Sequence, residues 1–114
     1  MVTADVLIPQ RGQVVWITLN PQAGPEQAGR RPALVLSPEI YNRRTGLAVF
    51  CPITSQIMGY PFEVRIPAGL PIDGVILADQ IKSLDWRVRK VELICLLPSK
   101  VIKEVLEKVN TLLA

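Results

Sequence analysis

Glu26, Gln27, Arg30 and Arg31 lie close together in the stretch Gly24-Pro25-Glu26-Gln27-Ala28-Gly29-Arg30-Arg31-Pro32-Ala33-Leu34-Val35-Leu36-Ser37. They offer one proton-accepting carboxylate, one amide and two guanidinium forks of the kind that grip phosphate in a bidentate way. Gly24, Pro25 and Gly29 punctuate the first half as a loop. Pro32–Ser37 reads as a buried strand, apolar and led by a proline that suits a strand's first residue. Charged groups where a loop enters a rigid strand can be aimed at a ligand. The same pattern also suits a solvated, charged hairpin loop.

The available chemistry is narrow. The chain has no histidine, which removes Ser-His-Asp and Cys-His catalysis and paired-histidine RNA cleavage. Its two cysteines, Cys51 and Cys95, lie in apolar runs and read as small core residues. Without histidine they do not make a zinc site, and two thiols do not make a disulfide framework. Acid–base chemistry must therefore use Glu, Asp, Tyr, Lys or Arg. Neither a metal nor a cofactor is expected. Net charge is +3, and eight of the thirteen basic residues are arginine, in pairs such as Arg30/Arg31, Arg43/Arg44 and Arg87/Arg89. The anion-binding part is thus expected in the body of the chain, since the lysines gather toward the C-terminus.

These groups need a scaffold. A length of 114 residues, 49% hydrophobic and 20% charged, predicts one domain over 1–114 with a compact core. No apolar run is long enough to cross a bilayer, and the first residues lack a signal-peptide layout, so a cytoplasmic location and no membrane partner are expected. Strands are predicted at Gln13–Leu19, Pro32–Ser37, Leu47–Ile53, Phe62–Ile66, Gly74–Ala78 and Val91–Leu97. One helical turn is predicted over Pro38–Arg43, and a short strand or turn at Lys82–Arg87. From Ser99 on, Val101, Ile102, Val105, Leu106, Val109, Leu112 and Leu113 recur at helical spacing, with Lys100, Lys103, Glu104, Glu107 and Lys108 opposite. Ser99, or the residue before Pro98, is expected to cap this helix. The pattern predicts an α+β fold: a small, strongly twisted antiparallel β-barrel with a C-terminal amphipathic helix. Trp16 and the helix's apolar face, on so small a chain, predict more apolar surface than one barrel hides, and hence a dimer.

Polar residues cluster at four strand ends: Glu26/Gln27/Arg31, Thr54/Ser55/Gln56, Asp79/Gln80 and Trp86/Arg87/Arg89. In a small barrel such ends can share one mouth. Separate turn chemistry at each place, with Trp86 in the core, explains them equally well.

The motif Glu26-Gln27-Ala28-Gly29-x-Arg31-Pro32-Ala33-x-Val35-Leu36-Ser37-Pro38 resembles the signature of the MazF/PemK family of type II toxins. The resemblance continues through Trp16 with Asn20-Pro21, Tyr41-Asn42 with Thr45-Gly46, and Pro52-x-Thr54-x-Gln56. It runs on through Gly59-Tyr60-Pro61-Phe62-Glu63-Val64, Asp73-Gly74-Val75-x-Leu77-Ala78-Asp79-Gln80-x-Lys82-Ser83 and Trp86-Arg87-x-Arg89, covering nearly the whole chain. The MazF branch is the nearer one. Arg30 stands where the best-known MazF has histidine, so that histidine cannot be essential to the chemistry here. Leu77 replaces the catalytic arginine of the Kid branch, and the segment from Lys90 to Ser99 diverges most.

The resemblance implies a homodimer of SH3-like barrels of the CcdB/PemK toxin type. It implies a sequence-specific, metal- and ribosome-independent endoribonuclease that cleaves single-stranded mRNA to 2′,3′-cyclic phosphate and 5′-hydroxyl ends. A cognate MazE-type antitoxin would block the groove with an acidic C-terminal tail, and DNA would be met only through that antitoxin. Arg31 and Thr54 are the central catalytic pair by this match. Arg31 would stabilise the phosphorane and assist protonation of the leaving oxygen, because a guanidinium is a poor base. Thr54 would hold a non-bridging oxygen. Glu26 is the candidate base and Asp79 the second choice. Asn20, Gln27, Ser55, Gln56, Asp79, Gln80, Lys82 and Arg89 would bind the RNA, amides being suited to reading base edges. Two other functions remain possible on such a fold. One is a CcdB-like gyrase poison, but the ending Thr111-Leu112-Leu113-Ala114 lacks the Trp-Gly-Ile that those toxins need. The other is an inactive SH3-like binding module.

Overall fold

The structure, a computed structural model, describes residues 7–19 and 29–114. Seven strands and two helices follow in the order β1 (Gln13–Thr18), β2 (Arg30–Val35), α1 (Glu39–Thr45), β3 (Leu47–Thr54), β4 (Glu63–Arg65), β5 (Val75–Leu77), β6 (Lys82–Asp85), a 3-10 turn (Trp86–Val88), β7 (Glu92–Leu96) and α2 (Ser99–Leu113). The described strands pair antiparallel in the path β4-β5-β3-β2-β1-β7, with β6 alongside β3. The α+β class with a terminal helix is as expected. The path is that of a bent, open sheet, since its end strands β4 and β7 are not paired with each other.

Strand β3 is the axis of this sheet. Its first half pairs with β6, from Leu47 opposite Asp85 to Phe50 opposite Lys82. Its last two residues pair with β5, Ile53 opposite Ile76 and Thr54 opposite Val75. Pro52 falls between the two ladders, where its missing N–H costs least.

Both faces of the sheet are covered, which is why its inner strands read as nearly continuous apolar runs. Alternate residues supply the two faces. On one, Val14, Leu34, Cys51, Ile53 and Ile76 pack beneath Val101, Ile102, Val105 and Val109 of α2. On the other, Val15, Ile17, Ala33, Val35, Ala48 and Phe50 form a second core with Trp86. The indole of Trp86 donates to Asn42 O at 2.9 Å.

Four details differ from the sequence reading. Strand β2 begins at Arg30 rather than at Pro32, because the ladder to β3 starts only at Ala33 and leaves the proline no N–H to supply there. Helix α1 runs to Thr45, two turns rather than one, with Glu39 ion-paired to Arg43. Pro98, not Ser99, occupies the α2 cap position, and no side chain caps the helix. Its last leucines, Leu112 and Leu113, are exposed, lying beyond Val109, the last α2 residue packed into the core. No helix among the described residues is long and apolar enough to cross a membrane.

Candidate active site

Strand register builds the site. Ala33 pairs with Pro52, Leu34 with Cys51 and Val35 with Phe50. The β2–β3 ladder ends at that first pair; Arg31 lies two residues before Ala33 and Thr54 two residues after Pro52, just beyond it. Paired residues share a face of a sheet. Arg31 and Thr54 therefore lie on the face of the second core, just past the point where Ala33 and Phe50 are buried. Thr54 pairs with Val75, and Glu63 with Leu77, which adds Leu77 and Glu63 to that face. Lys82 joins it opposite Phe50.

Two adjoining hollows result. A narrow one is lined by Leu19, Ala33, Phe50, Pro52, Lys82 and Leu84. A wider recess of about 460 Å³ is lined by Thr54, Gln56, Met58, Tyr60, Glu63, Leu77, Asp79 and Gln80.

Thr54 Oγ1 accepts the Gln56 backbone N–H at 3.1 Å. With its oxygen so engaged, the hydroxyl hydrogen is left to donate outward. The exposed guanidinium of Arg31 gives one N–H to Arg30 O at 3.0 Å. Among the described residues its other donors have no protein partner. Arg30 points to the opposite face, as alternation requires. It donates to Thr18 Oγ1 at 3.2 Å and to Lys90 O at 2.8 Å, and it is ion-paired with Glu92.

Asp79 is half-buried. Its Oδ2 accepts the Tyr60 hydroxyl at 2.8 Å, while Oδ1 is buried with no hydrogen-bond partner among the described residues. That hydrogen bond, reinforced by the carboxylate's charge, raises the Tyr60 pKa above its ordinary value. Burial, and then the Asp79 charge, push the Cys51 thiol up to about 12, so it is an inert core residue. Among the described residues no three His, Cys, Asp or Glu side chains form a metal-ligand set.

Sequence and shape then decide the family. The profile of the PemK-like, MazF-like toxins of type II toxin-antitoxin systems matches residues 10–113. This chain belongs to that toxin family. The endoribonuclease toxin MazF of Escherichia coli strain K12 is 51% identical over 82 residues, 72% of this chain and 73% of that protein. MazF (Form-I) from Deinococcus radiodurans superposes with a TM-score of 0.85 at 53% identity, covering 95% of this chain and 98% of the other. The MazF chain of a MazE-MazF complex (Form-II) from the same organism gives 0.85 at 47% identity, covering 96% and 98%.

The four polar clusters of this MazF-like toxin do not all meet. Thr54 and Gln56 share the wider recess with Asp79 and Gln80; Arg31 is not among its lining residues and shares with Thr54 only the face of the sheet. Ser55, next to Thr54, opens instead into a separate hollow with Ile57, Arg65, Asp73 and Gly74. Trp86 and Arg87 lie at the far end of β3, where Leu47 pairs with Asp85. Seven residues of strand, about 23 Å, separate that end from Thr54. There Arg87 folds onto the Asp85 carboxylate at 3.0–3.1 Å. Arg89 is half-buried, and its guanidinium donates to Thr18 O and Leu19 O. Asn20, Glu26 and Gln27 lie outside the described residues. Their stretch is closed at its root by Leu19 N–H to Gly29 O at 2.8 Å.

Four lining residues of the wider recess, Met58, Tyr60, Glu63 and Leu77, escaped the sequence reading of the site. Glu63 accepts the N–H groups of Met58 and Gly59, both at 3.0 Å, and so folds the 56–61 loop. Tyr60 provides the recess's aromatic wall. The available signal was a Gly-Tyr-Pro turn followed closely by a carboxylate on the polar face of an alternating strand.

Proposed function

We propose that residues 1–114 act as one toxin domain, a sequence-specific, metal- and ribosome-independent endoribonuclease that cleaves single-stranded mRNA at the Arg31–Thr54 face. The observation that carries the reading is strand alternation, which puts Arg31, two residues before Ala33, and Thr54, two residues after its partner Pro52, on one face of the sheet, with the Thr54 hydroxyl donating to no acceptor among the described residues. The 2′-oxygen attacks its own phosphate, the P–O5′ bond breaks, and a 2′,3′-cyclic phosphate and a 5′-hydroxyl remain. Preorganised donors stabilise the extra negative charge of the phosphorane. Arg31 supplies two N–H groups in a fork and Thr54 one O–H. Glu26 takes the 2′-hydroxyl proton, and the leaving O5′ gains a proton whose delivery Arg31 assists. Asp79 suits that task less, having one oxygen tied to Tyr60 and the other buried. Lys82, Gln56 and Gln80 border the same hollows and would hold the strand.

The metal-free reading rests on a sequence without histidine and without a carboxylate cluster. The MazE-MazF complexes of Deinococcus radiodurans support a cognate MazE-type antitoxin. Its acidic tail would neutralise the Arg31/Lys82 end of the face, and DNA would be met only through it. The same reading makes the chain a cytoplasmic homodimer, with exposed Trp16, Leu93 and Leu96 as apolar surface still to be covered.

Single-turnover cleavage of one RNA oligonucleotide in EDTA tests the proposal. Wild type should cleave and leave cyclic phosphate ends. Arg31→Ala and Thr54→Val should each lose about 10²–10³-fold in rate. Arg31→Lys, which keeps charge without the fork, should also be badly impaired. Activity that chelation abolishes and Mg²⁺ restores would refute the mechanism.

A further inference from the structure

Arg31 stands where β2 lacks one neighbour. The ladder to β3 starts only at Ala33, so Arg30 and Arg31 are paired with β1 alone, opposite Thr18 and Ile17. The end of β1 is equally short of support, because β7 accompanies it only as far as Trp16, opposite Glu92. The guanidinium proposed to meet the phosphorane thus hangs from two strand ends with few partners, where local opening costs least.

The turn from Arg89 to Glu92 supplies the missing support. Arg89 O accepts the Thr18 N–H at 2.9 Å, and the Arg89 guanidinium donates to Thr18 O at 3.1 Å and to Leu19 O. Arg30 lies across Thr18 from the other strand. Its guanidinium donates to Thr18 Oγ1 at 3.2 Å and to Lys90 O at 2.8 Å, and it is ion-paired with Glu92. Arg30 O in turn accepts the Arg31 guanidinium at 3.0 Å. Contacts therefore run without a break from the turn, through Thr18 and Arg30, to the side chain of Arg31. Lys90 has a φ of +53°, the one positive value outside glycine among the described residues. A backbone in that region persists only where its surroundings enforce it. Arg89 has its Nε buried and one terminal nitrogen given to two carbonyls, so the fork that would grip a phosphate is already spent.

We propose that the Arg89–Glu92 turn is a buttress that sets the place of Arg31, with Arg89 and Arg30 as positioning residues and not as contacts to RNA. The inference rests on the ribonuclease reading above. It reassigns Arg89, which the family resemblance would put on the RNA.

The test uses the full-length protein in single-turnover cleavage of one RNA oligonucleotide, with maximal rate and half-saturating concentration measured separately. Arg89→Met keeps the stem of the side chain and removes its donors. It should lower the maximal rate by about 10- to 100-fold, the scale of loss that misplacement by an ångström brings. The half-saturating concentration should stay near that of wild type. The slope of log affinity against log salt should also hold, whereas losing one phosphate contact on a single strand would reduce it by about 0.7. Placed on Arg31→Ala, Arg89→Met should lower the rate no further, because it acts through a side chain already gone. One readout is independent of activity. The backbone 15N heteronuclear NOE of Arg31 should fall in Arg89→Met, while that of Ala33, held by β3 as well, should not. If Arg89→Met does not fold, Arg30→Met takes its place in each measurement, since it removes the ties to Lys90 O and Thr18 Oγ1.

If Arg89→Met weakens binding and flattens the salt slope while the maximal rate holds, Arg89 is an RNA contact and the buttress falls, although the ribonuclease reading stands. If the losses from Arg89→Met and Arg31→Ala multiply independently, Arg89 does not act through Arg31 and the inference is likewise overturned. If wild type cleaves no RNA at all, the ribonuclease reading fails, and the NOE of Arg31 alone decides whether the turn holds it.

Discussion

Gly74 offers a way to move Thr54 without touching its side chain. It immediately precedes β5, beside the pairing of Thr54 with Val75, and its φ is +114°. A Cβ there would meet Thr54 O at 2.2 Å, Thr54 C at 2.9 Å and Ser55 Cα at 3.0 Å. All three are backbone atoms, so no side-chain rotation relieves the clash. Ordinary carbon contacts begin near 3.5 Å, so the end of β3 must retreat by roughly 1 Å or more. Gly69 is the control, with φ +93° but nothing within 4 Å of its Cβ. Alanine at either site carries backbone strain of about 1–3 kcal/mol. Gly74→Ala alone adds overpacking, about 1–3 kcal/mol more. A displacement of this size at a catalytic group lowers rate by about 10²-fold. Urea unfolding at matched protein concentration should therefore rank wild type above Gly69→Ala above Gly74→Ala. Single-turnover cleavage should leave Gly69→Ala near wild type and cut Gly74→Ala by about two orders of magnitude. If the two variants are equal in stability and rate, the close approach of Gly74 does not set the position of Thr54, and the argument is wrong.

Two further outcomes follow from buried or tied polar groups. Asn42 is fully buried, its amide donating to Pro9 O at 2.7 Å and Ser37 O at 3.0 Å and accepting the Ser37 hydroxyl. Asn42→Ala orphans those partners and should cost about 3 kcal/mol in urea unfolding; a loss below about 1 kcal/mol would show that the network is not structural. The Tyr60 hydroxyl, held by Asp79, should titrate above its ordinary value in an alkaline ultraviolet titration, and Asp79→Asn should lower it. A group with a raised folded pKa contributes stability below its unfolded pKa of about 10 and loses it as pH rises through the folded pKa, so this tie weakens only in alkali.

Much of the fold was legible because periodicity reports burial. The Leu47–Ile53 run marks a strand covered on both faces, and Glu63 and Arg65 alternate with buried neighbours as read. What periodicity misses is where a neighbour stops. Pro32 looks like a strand start in sequence, yet it is interior, because only the β1 ladder extends that far along β2. Leu112 and Leu113 continue the helical repeat past Val109, the last α2 residue packed into the core, and remain in solvent. The site shows the same division. Alternation forces Arg30 and Arg31 apart and separates Thr54 from Ser55, so local sequence carries those distinctions. No local spacing could show that Asp79 would meet Tyr60, or that Arg89 would buttress Thr18 and Leu19, since these contacts span distant segments.

The gradient along β3 explains how so small a protein could hold phosphoryl chemistry in register. Cys51 and Ile53 are locked beneath α2 on one face, and Ala48 and Phe50 beneath Trp86 on the other. Along the second face burial falls from Phe50, nearly fully enclosed, to Pro52 and Thr54, both half-buried at the strand's open end. The groups proposed to react thus stand one step beyond a core packed from both sides, where side chains would reach substrate while their backbone cannot shift freely. Position comes from the packed half of the strand and access from its last residues. A substitution that loosens Ile53, which packs beneath α2 on the opposite face, would therefore act on the proposed catalysis through the position of Thr54.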